Sequence, residues 1–377
     1  MSGIYIHIPF CKQACHYCDF HFSTSLKKKA QMVAALKKEL MLRQEKLAGE
    51  IIETIYFGGG TPSVLDINEI NDLIKTVYSN YEVVENPEIT LEANPDDLSM
   101  NKIIELSQSP INRLSIGIQS FFEEDLLLMN RAHNAKEAEE CITEATKYFD
   151  NISIDLIYGI PNMTNERWLQ NIEKALSYNI PHISSYALTV EPKTALANFI
   201  QKGKMSPLDE ELAQEHFQML YEVLTINGYD CYEISNFGKP GYYSKNNTAY
   251  WLGKTYLGIG PSAHSYDGRR RSWNVSNNPK YLKSIESGQL PSEVEELSLN
   301  DKYNEYIMTG LRTSWGVSLQ RISQEFGKER LNYLTRQSEQ YLDQQLLVLK
   351  EDQLIATKKG KFLVDGIASD LFVVNLD

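Results

Sequence analysis

The chain lacks most of what would mark a membrane-spanning, secreted or nucleic-acid-binding protein. In its 377 residues, no apolar run approaches the ~20 residues that a membrane-spanning helix needs. The opening stretch MSGIYIHIPF has no basic n-region and no small-residue cleavage site, so no signal peptide is expected and a cytoplasmic location is. Cysteine is scarce: 5 residues in a chain this long are no disulfide framework. Positive charge is also in short supply. Lys and Arg number 37 against 50 Asp and Glu, a net charge of −13, which argues against nucleic acid as a partner. The one basic run, Lys27-Lys28-Lys29, opens a helical stretch and reads as a solvated face.

Hydrophobic residues make up 42% and charged residues 23%, ordinary globular values. The length suits one large domain plus a small one. From residue 4 to about 188, short apolar segments alternate with helical periodicities. The predicted strands are Ile4–Ile8, Thr54–Phe57, Glu88–Glu92, Arg113–Ile118, Ile152–Leu156 and His182–Leu188, with Asp230–Ile234 as a candidate seventh. Helical patterns fall at about 25–47, 66–79, 99–108, 134–148, 165–178 and 208–227. Such alternation means βαβ units and a parallel sheet. Six units are fewer than the eight of a closed barrel, so the expected fold is α/β, a partial (β/α)6 barrel, over residues 1–235. Residues 236–290 are expected to close the site-bearing face, and 291–296 to be a linker. Three helices at about 300–314, 318–326 and 328–349, then a hairpin from Asp352–Thr357 and Lys358–Val364, predict a winged-helix-like α+β domain over 291–377.

The C-terminal strand edges carry polar and glycine residues: Gly58-Gly59-Gly60-Thr61-Pro62, Glu92-Ala93-Asn94-Pro95, Gln119-Ser120, Asp155 with Tyr158-Gly159, and Tyr186-Ala187. In a barrel these edges form one face, where sites are built. Turn chemistry accounts for Pro95 and Pro161. It accounts poorly for Glu92, Gln119 and Asp155, which sit in or beside apolar strands where an unpaired polar group is costly.

Cys11, Cys15 and Cys18 are spaced C-x3-C-x2-C just after the first strand. That spacing can bring three thiolates together and leave one coordination position open. Zinc could use the three with His16 or His21. A thioredoxin-like dithiol would use Cys15 and Cys18 alone. A [4Fe–4S] cluster would use all three, in a loop whose aromatics Phe10, Tyr17, Phe20 and Phe22 would limit solvent. Cys141 and Cys231 are isolated, and Cys141 reads as a buried small hydrophobe. The glycines at 58–60 allow close backbone approach to a ligand, but match neither the P-loop nor the dinucleotide fingerprint.

The triad, with an aromatic before its third cysteine, resembles the radical S-adenosylmethionine (SAM) superfamily. Tyr5-Ile6-His7-Ile8-Pro9-Phe10-Cys11, the GGGTP loop, Ile116-Gly117-Ile118-Gln119-Ser120, Ile154-Asp155-Leu156-Ile157-Tyr158-Gly159 and Gly258-Ile259-Gly260-Pro261-Ser262-Ala263-His264 resemble its oxygen-independent coproporphyrinogen III oxidase group. The resemblance implies that Cys11, Cys15 and Cys18 hold a [4Fe–4S] cluster whose open iron is chelated by SAM. It implies that Tyr5 and Tyr17 frame that end, and that Gly58, Gly59, Gly60 and Thr61 meet the methionyl amino group. Glu92, Gln119, Arg131, Asp155, Ala187, Ala263 and His264 would surround the ribose, adenine and neighbouring pocket.

Two branches share these motifs. The oxidase branch, an enzyme of porphyrin biosynthesis, carries a further Cys two residues after the third and a long extension before its Tyr. Here Phe20 holds that position and four residues precede Tyr5. The haem chaperone branch (HemW) carries H-N-x-x-Y-W, and Asn246-Asn247-Thr248-Ala249-Tyr250-Trp251 fits at every fixed position but the first. The resemblance therefore implies a chaperone that binds haem and delivers it to haem-dependent membrane proteins of respiration, the alternative being the oxidase. Asn246 stands where the branch has its histidine, and an amide is a poor ligand for haem iron. His264, His7, His182 and Tyr250 are the other candidate ligands, each His more simply read as a hydrogen-bonded structural residue.

Overall fold

A computed structural model describes residues 2–374. The chain begins with β1 (Ser2–Ile8) and α1 (Lys29–Leu42), β2 (Ile52–Gly59) and α2 (Ile67–Asn80), then β3 (Val83–Ala93) and α3 (Met100–Ser107). There follow β4 (Arg113–Gln119), α4 (Glu123–Leu128), α5 (Ala135–Ala145), β5 (Ile152–Tyr158), α6 (Asn165–Ser177) and β6 (His182–Ala187). The starts of α2 and α5 are written in the sequence as capping boxes, Asp66 with Glu69 and Asn134 with Glu137.

The six expected units form the centre of one open, mixed sheet, ordered β1 to β6 and parallel throughout. Its register sorts the side chains by period two. Ile4, Ile6, Ile8, Ile55, Phe57, Ile89, Leu91, Leu114, Ile116, Ile154, Leu156 and Ile183 are buried and pack with the helices in one core. The alternate positions are polar or small: Tyr56 and Gly58, Thr90 and Glu92, Ser115, Gly117 and Gln119, Ser153 and Asp155, Ser184 and Tyr186. The helix-facing phase is apolar at these positions, whereas the inner phase, Ile157 apart, is polar, aromatic or small and leaves a largely polar surface for a ligand.

After α7 (Ala195–Gln201) and α8 (Glu210–Ile226), the candidate seventh strand, β7 (Asp230–Glu233), is not a seventh parallel strand. It hairpins with β8 (Asn236–Gly238), and β8 pairs antiparallel with β6. The seventh parallel strand is β9 (Tyr256–Ile259), which follows α9 (Lys245–Trp251) and pairs with β1 at the other side. Then β10 (His264–Tyr266), β11 (Arg270–Asn274) and, after α10 (Asn278–Glu286), β12 (Ser292–Glu296) continue the sheet antiparallel to twelve strands. The expected linker is thus an edge strand; its exposed Glu293, Glu295 and Glu296 discourage edge-to-edge association.

Residues 236–290 therefore extend the sheet on both sides rather than cross the site-bearing face. Helix α9 covers the opposite, N-terminal edge of the strands. Its Lys245 and Asn246 N–H groups donate to the Glu88 carboxylate at 3.1 and 3.1 Å, a favourable meeting of helix N-terminus and anion.

The C-terminal unit has its own core, including Tyr303, Ile307, Leu334, Leu347, Leu354 and Ile367. It contains α11 (Leu299–Leu311), β13 (Val317–Ser318), α12 (Leu319–Arg321), α13 (Lys328–Asp343), β14 (Leu347–Lys350), β15 (Gln353–Ala356), α14 (Lys358–Lys361) and α15 (Val364–Asp370). The hairpin lies earlier than expected: β14 pairs with β15, while Lys358–Lys361 is helical, Phe362 and Leu363 form a turn and Val364 opens the last helix. Thr357 caps that turn by accepting from Gly360 N. Gly360 sits where a Cβ would meet the Leu346 carbonyl at 2.0 Å.

Candidate functional site

The cysteine loop leaves β1 at the sheet's C-terminal edge and is pinned at both ends. Cys11 N donates to Ser23 O at 3.1 Å and Ser23 N to Pro9 O at 3.0 Å. The segment after α4 holds its middle. His16 N donates to Met129 O at 3.0 Å, His16 Nδ1 bonds Leu128 O at 2.9 Å, Gln13 Nε2 donates to Asn130 O at 2.9 Å, and Asn130 Nδ2 donates to Ala14 O at 2.7 Å. Asn130 adopts the left-handed φ of 56° that this turn needs.

Inside lies a cavity of about 500 Å3. Cys11, Cys15, Cys18 and Tyr17 line one side; Gly59, Gly60, Thr61, Glu92, Gln119, Arg131, Asp155 and Ala187 line the rest. The thiols surround this space rather than meet at a point. Among the described residues, no three His, Cys, Asp or Glu side chains could hold a single metal ion. Neither His16 nor His21 lines the cavity. His16 packs edge-on against Phe199, and His21 Nε2 bonds Asn278 Oδ1 at 2.7 Å. The zinc reading therefore lacks its fourth ligand. Three free thiols around a shared space fit a cluster larger than one ion.

Arg131 is the cation of the site. Nη1 lies 3.3 Å from Cys15 Sγ and 3.4 Å from Tyr17 Oη; Nη2 donates to Asn94 Oδ1 at 2.7 Å and Gly117 O at 2.9 Å. Burial alone would lower its pKa, but the facing Tyr17 and Cys15 outweigh that and raise it. Burial, with Cys15 and Cys18 nearby, pushes the Cys11 thiol up to about 12, against a hydrogen bond from Thr61. Burial likewise pushes Cys18 up to about 11. Burial thus disfavours the thiolate form of Cys11 and Cys18, which a bound cation would reverse.

Two carboxylates face the thiols. Glu92 accepts from Tyr56 Oη at 2.8 Å and Gly59 N at 3.2 Å; burial still holds it up at about 7. Asp155 is raised to about 6 by burial, against Ser184, Arg131 and Arg113. Gly60 N and Thr61 N are committed to Ile8 O and Phe10 O at 2.9 and 2.7 Å. The glycine loop, its N–H groups spent on Glu92 and the β1 end, suits a hydrogen-bond donor such as an ammonium group rather than an anion. At Gly60 a Cβ would lie 2.6 Å from Phe10 O. Gln119 closes β4 at a φ of 68°, strain of ~1–3 kcal/mol that clusters at functional sites.

Other expected site residues fall elsewhere. Tyr5 and Gly58 sit behind the wall: Tyr5 stacks on Tyr56 at 6.0 Å, and a Cβ at Gly58 would lie 2.8 Å from Tyr5 and 3.0 Å from Glu92. Ala263 and His264 do not line the cavity; His264 packs on Trp273 on the sheet extension. Asn246 is buried at the far end of the barrel, accepting from Thr54 Oγ1 at 3.2 Å. Asn247 lines a small polar chamber beneath the cavity with Arg113, Ser153 and His182. Tyr250 and Trp251 line a different, larger cavity. His7 bonds His21 O at 2.9 Å, and His182 bonds Ser153 Oγ and Tyr232 Oη at 2.7 and 2.7 Å, so both are structural. Sequence reasoning missed Ser115, Gly117 and Ile157, which line the cavity. Stepping back from Gln119 by two and by four, and forward from Asp155 by two, would have found them.

Residues 5–175 match the model of the radical SAM superfamily, and residues 297–363 that of the HemN C-terminal domain. The haem chaperone HemW of Bacillus subtilis is 33% identical over 369 residues, 96% of this chain and 97% of the relative. The haem chaperone HemW of Lactococcus lactis is 33% identical over 376 residues, 97% of this chain and 98% of the relative. Among solved structures, coproporphyrinogen III oxidase (HemN) from Escherichia coli, a radical SAM enzyme, superposes with a TM-score of 0.84. That match covers 99% of this chain and 90% of the other at 23% identity, a likeness of fold alone.

Proposed function

The chain belongs to the HemW family of the radical SAM superfamily, and on that premise we propose that it is a haem carrier supplying haem-dependent membrane proteins of respiration. Cys11, Cys15 and Cys18 would hold a [4Fe–4S] cluster and leave one iron for SAM. When bound, that pair supplies one-electron chemistry. The chain's own residues do the rest. Arg131 neutralises the Cys15 side and fixes the Tyr17 ring. Glu92 and the glycine loop present acceptors to an ammonium group. Asp155 and Gln119 offer hydrogen bonds to a nucleoside. The cytoplasm remains the compartment of this reading. No helix among the described residues is long and apolar enough to cross a membrane.

The observation that carries the chaperone over the oxidase is Phe20. It lines the mouth of the cysteine cavity and is 69% exposed, at the position where the oxidase branch has its further cysteine. A phenyl ring adds no ligand there. The test is titration of the anaerobically reconstituted protein with hemin, followed at the Soret band, beside an assay with coproporphyrinogen III, SAM and a reductant. Saturable hemin binding without CO2 release is expected. Decarboxylation, or no saturable binding, would overturn the reading.

A further inference from the structure

A second cavity, of about 970 Å3, lies between α9, the sheet extension and the C-terminal unit. It is about twice the size of the cysteine cavity and near the top of the ~300–1,000 Å3 range of small-molecule sites, so it suits a ligand larger than a nucleoside. Part of its wall is aromatic, with Tyr250 and Trp251 from α9, Tyr256 and Tyr266 from the sheet and Tyr306 and Phe326 from the C-terminal unit, and the rest includes the carboxylates Glu295 and Asp301. Tyr250 and Tyr256 meet edge-on at 4.5 Å. Such walls suit a flat π-system.

The same cavity carries two guanidinium groups. Arg271 bonds Glu305 at 2.8 Å. Arg321 lies 4.2 Å over the Tyr306 ring and bonds Glu325 at 2.9 Å. Arginine presents five donors, so each can keep its glutamate and still take a ligand carboxylate. No His or Cys lines the cavity; Met308 supplies a thioether, which together with the phenols is a known type of haem-iron ligand. Within the near-motif 246–251, Asn246 is turned to Thr54 in the barrel, whereas Tyr250 and Trp251 face this cavity.

We infer that haem binds here, apart from the cysteine cavity, with its ring between the aromatic walls, its carboxylates on Arg271 and Arg321, and Met308 as an iron ligand. The inference rests on the haem-carrier reading and adds where the cargo sits and what replaces the histidine missing at 246.

The test compares hemin with hemin dimethyl ester, which lacks the free carboxylates, on the full-length reconstituted protein. Wild type should bind hemin more tightly than the ester, by about tenfold or more for charge-assisted hydrogen bonds. The R271Q/R321Q double variant should weaken hemin and erase the difference. Met308→Leu, which keeps the volume, should shift the Soret band of the bound hemin. Unchanged iron content and circular dichroism confirm the fold in each. Wild-type binding of hemin that neither variant alters would overturn this placement and leave the carrier reading standing. No hemin binding by wild type would overturn both.

Discussion

Arg131→Met is the sharpest perturbation of the cysteine cavity. Methionine fills much of the volume, so the cost is electrostatic and hydrogen-bonding rather than a void. It strands Asn94 Oδ1 and Gly117 O, which now accept at 2.7 and 2.9 Å, and removes the donor facing Cys15 Sγ and Tyr17 Oη. Each stranded acceptor costs ~1–3 kcal/mol, so the variant should lose ~2–5 kcal/mol of unfolding stability. Urea unfolding of cluster-free, reduced protein, followed by circular dichroism, should show the midpoint falling by ~1 M or more. Arg131→Lys should fall between the two, because a compact ammonium cannot span four acceptors set for a planar fork. After reconstitution, Arg131→Met should retain less iron than wild type. An unchanged urea midpoint together with unchanged iron would refute the reasoning.

Cys15→Ala should abolish iron and sulfide binding while leaving far-UV circular dichroism intact; full iron content would contradict the ligand assignment. Glu92 is held at about 7 against an ordinary 4.5, so the folded state binds more protons than the unfolded state between those values and its stability falls as pH rises through them. Glu92→Gln should relieve ~3 kcal/mol of that penalty at pH 8 and little at pH 4; urea midpoints that gain equally at both would contradict it. Glu39 is fully buried, paired with Arg43, and accepts from Tyr281 Oη, Gly260 N and Asn274 Nδ2 at 2.5, 2.8 and 2.8 Å. Glu39→Ala should cost ~3–5 kcal/mol by uncoupling α1 from the sheet extension, and a loss under ~1 kcal/mol in urea unfolding would show the network to be dispensable.

The barrel half was legible because its signal is local. Each strand buries Ile and Leu on one phase, and α2 and α5 announce themselves by capping boxes. The cysteine triad, Glu92, Gln119 and Asp155 were legible because polar residues in apolar strands demand a purpose. What stayed hidden depends on contacts distant in sequence. β9 reads as a glycine motif, since Gly258 is there to let the His264 carbonyl pass, where a Cβ would come within 2.0 Å. The C-terminal Phe362-Leu363-Val364 reads as strand, but the Thr357 cap and the buried Gly360 make the turn helical. Ala263 and His264 were expected at the cofactor site, yet their strand runs away from it along the sheet extension. The cavity behind Tyr250 and Trp251 needs three separate segments of chain to exist, so no single stretch of sequence foretells it.

Delivery is the claim at the centre of this account, and a transfer experiment tests it most directly. Hemin-loaded protein, freed of excess hemin, is mixed with vesicles bearing a haem-free respiratory membrane protein, and the Soret bands of donor and acceptor are followed together. The account predicts that haem leaves the chain and appears in the acceptor, faster than it does from free hemin at the same concentration. Haem that stays on the chain, or reaches the acceptor no faster than free hemin does, would contradict it.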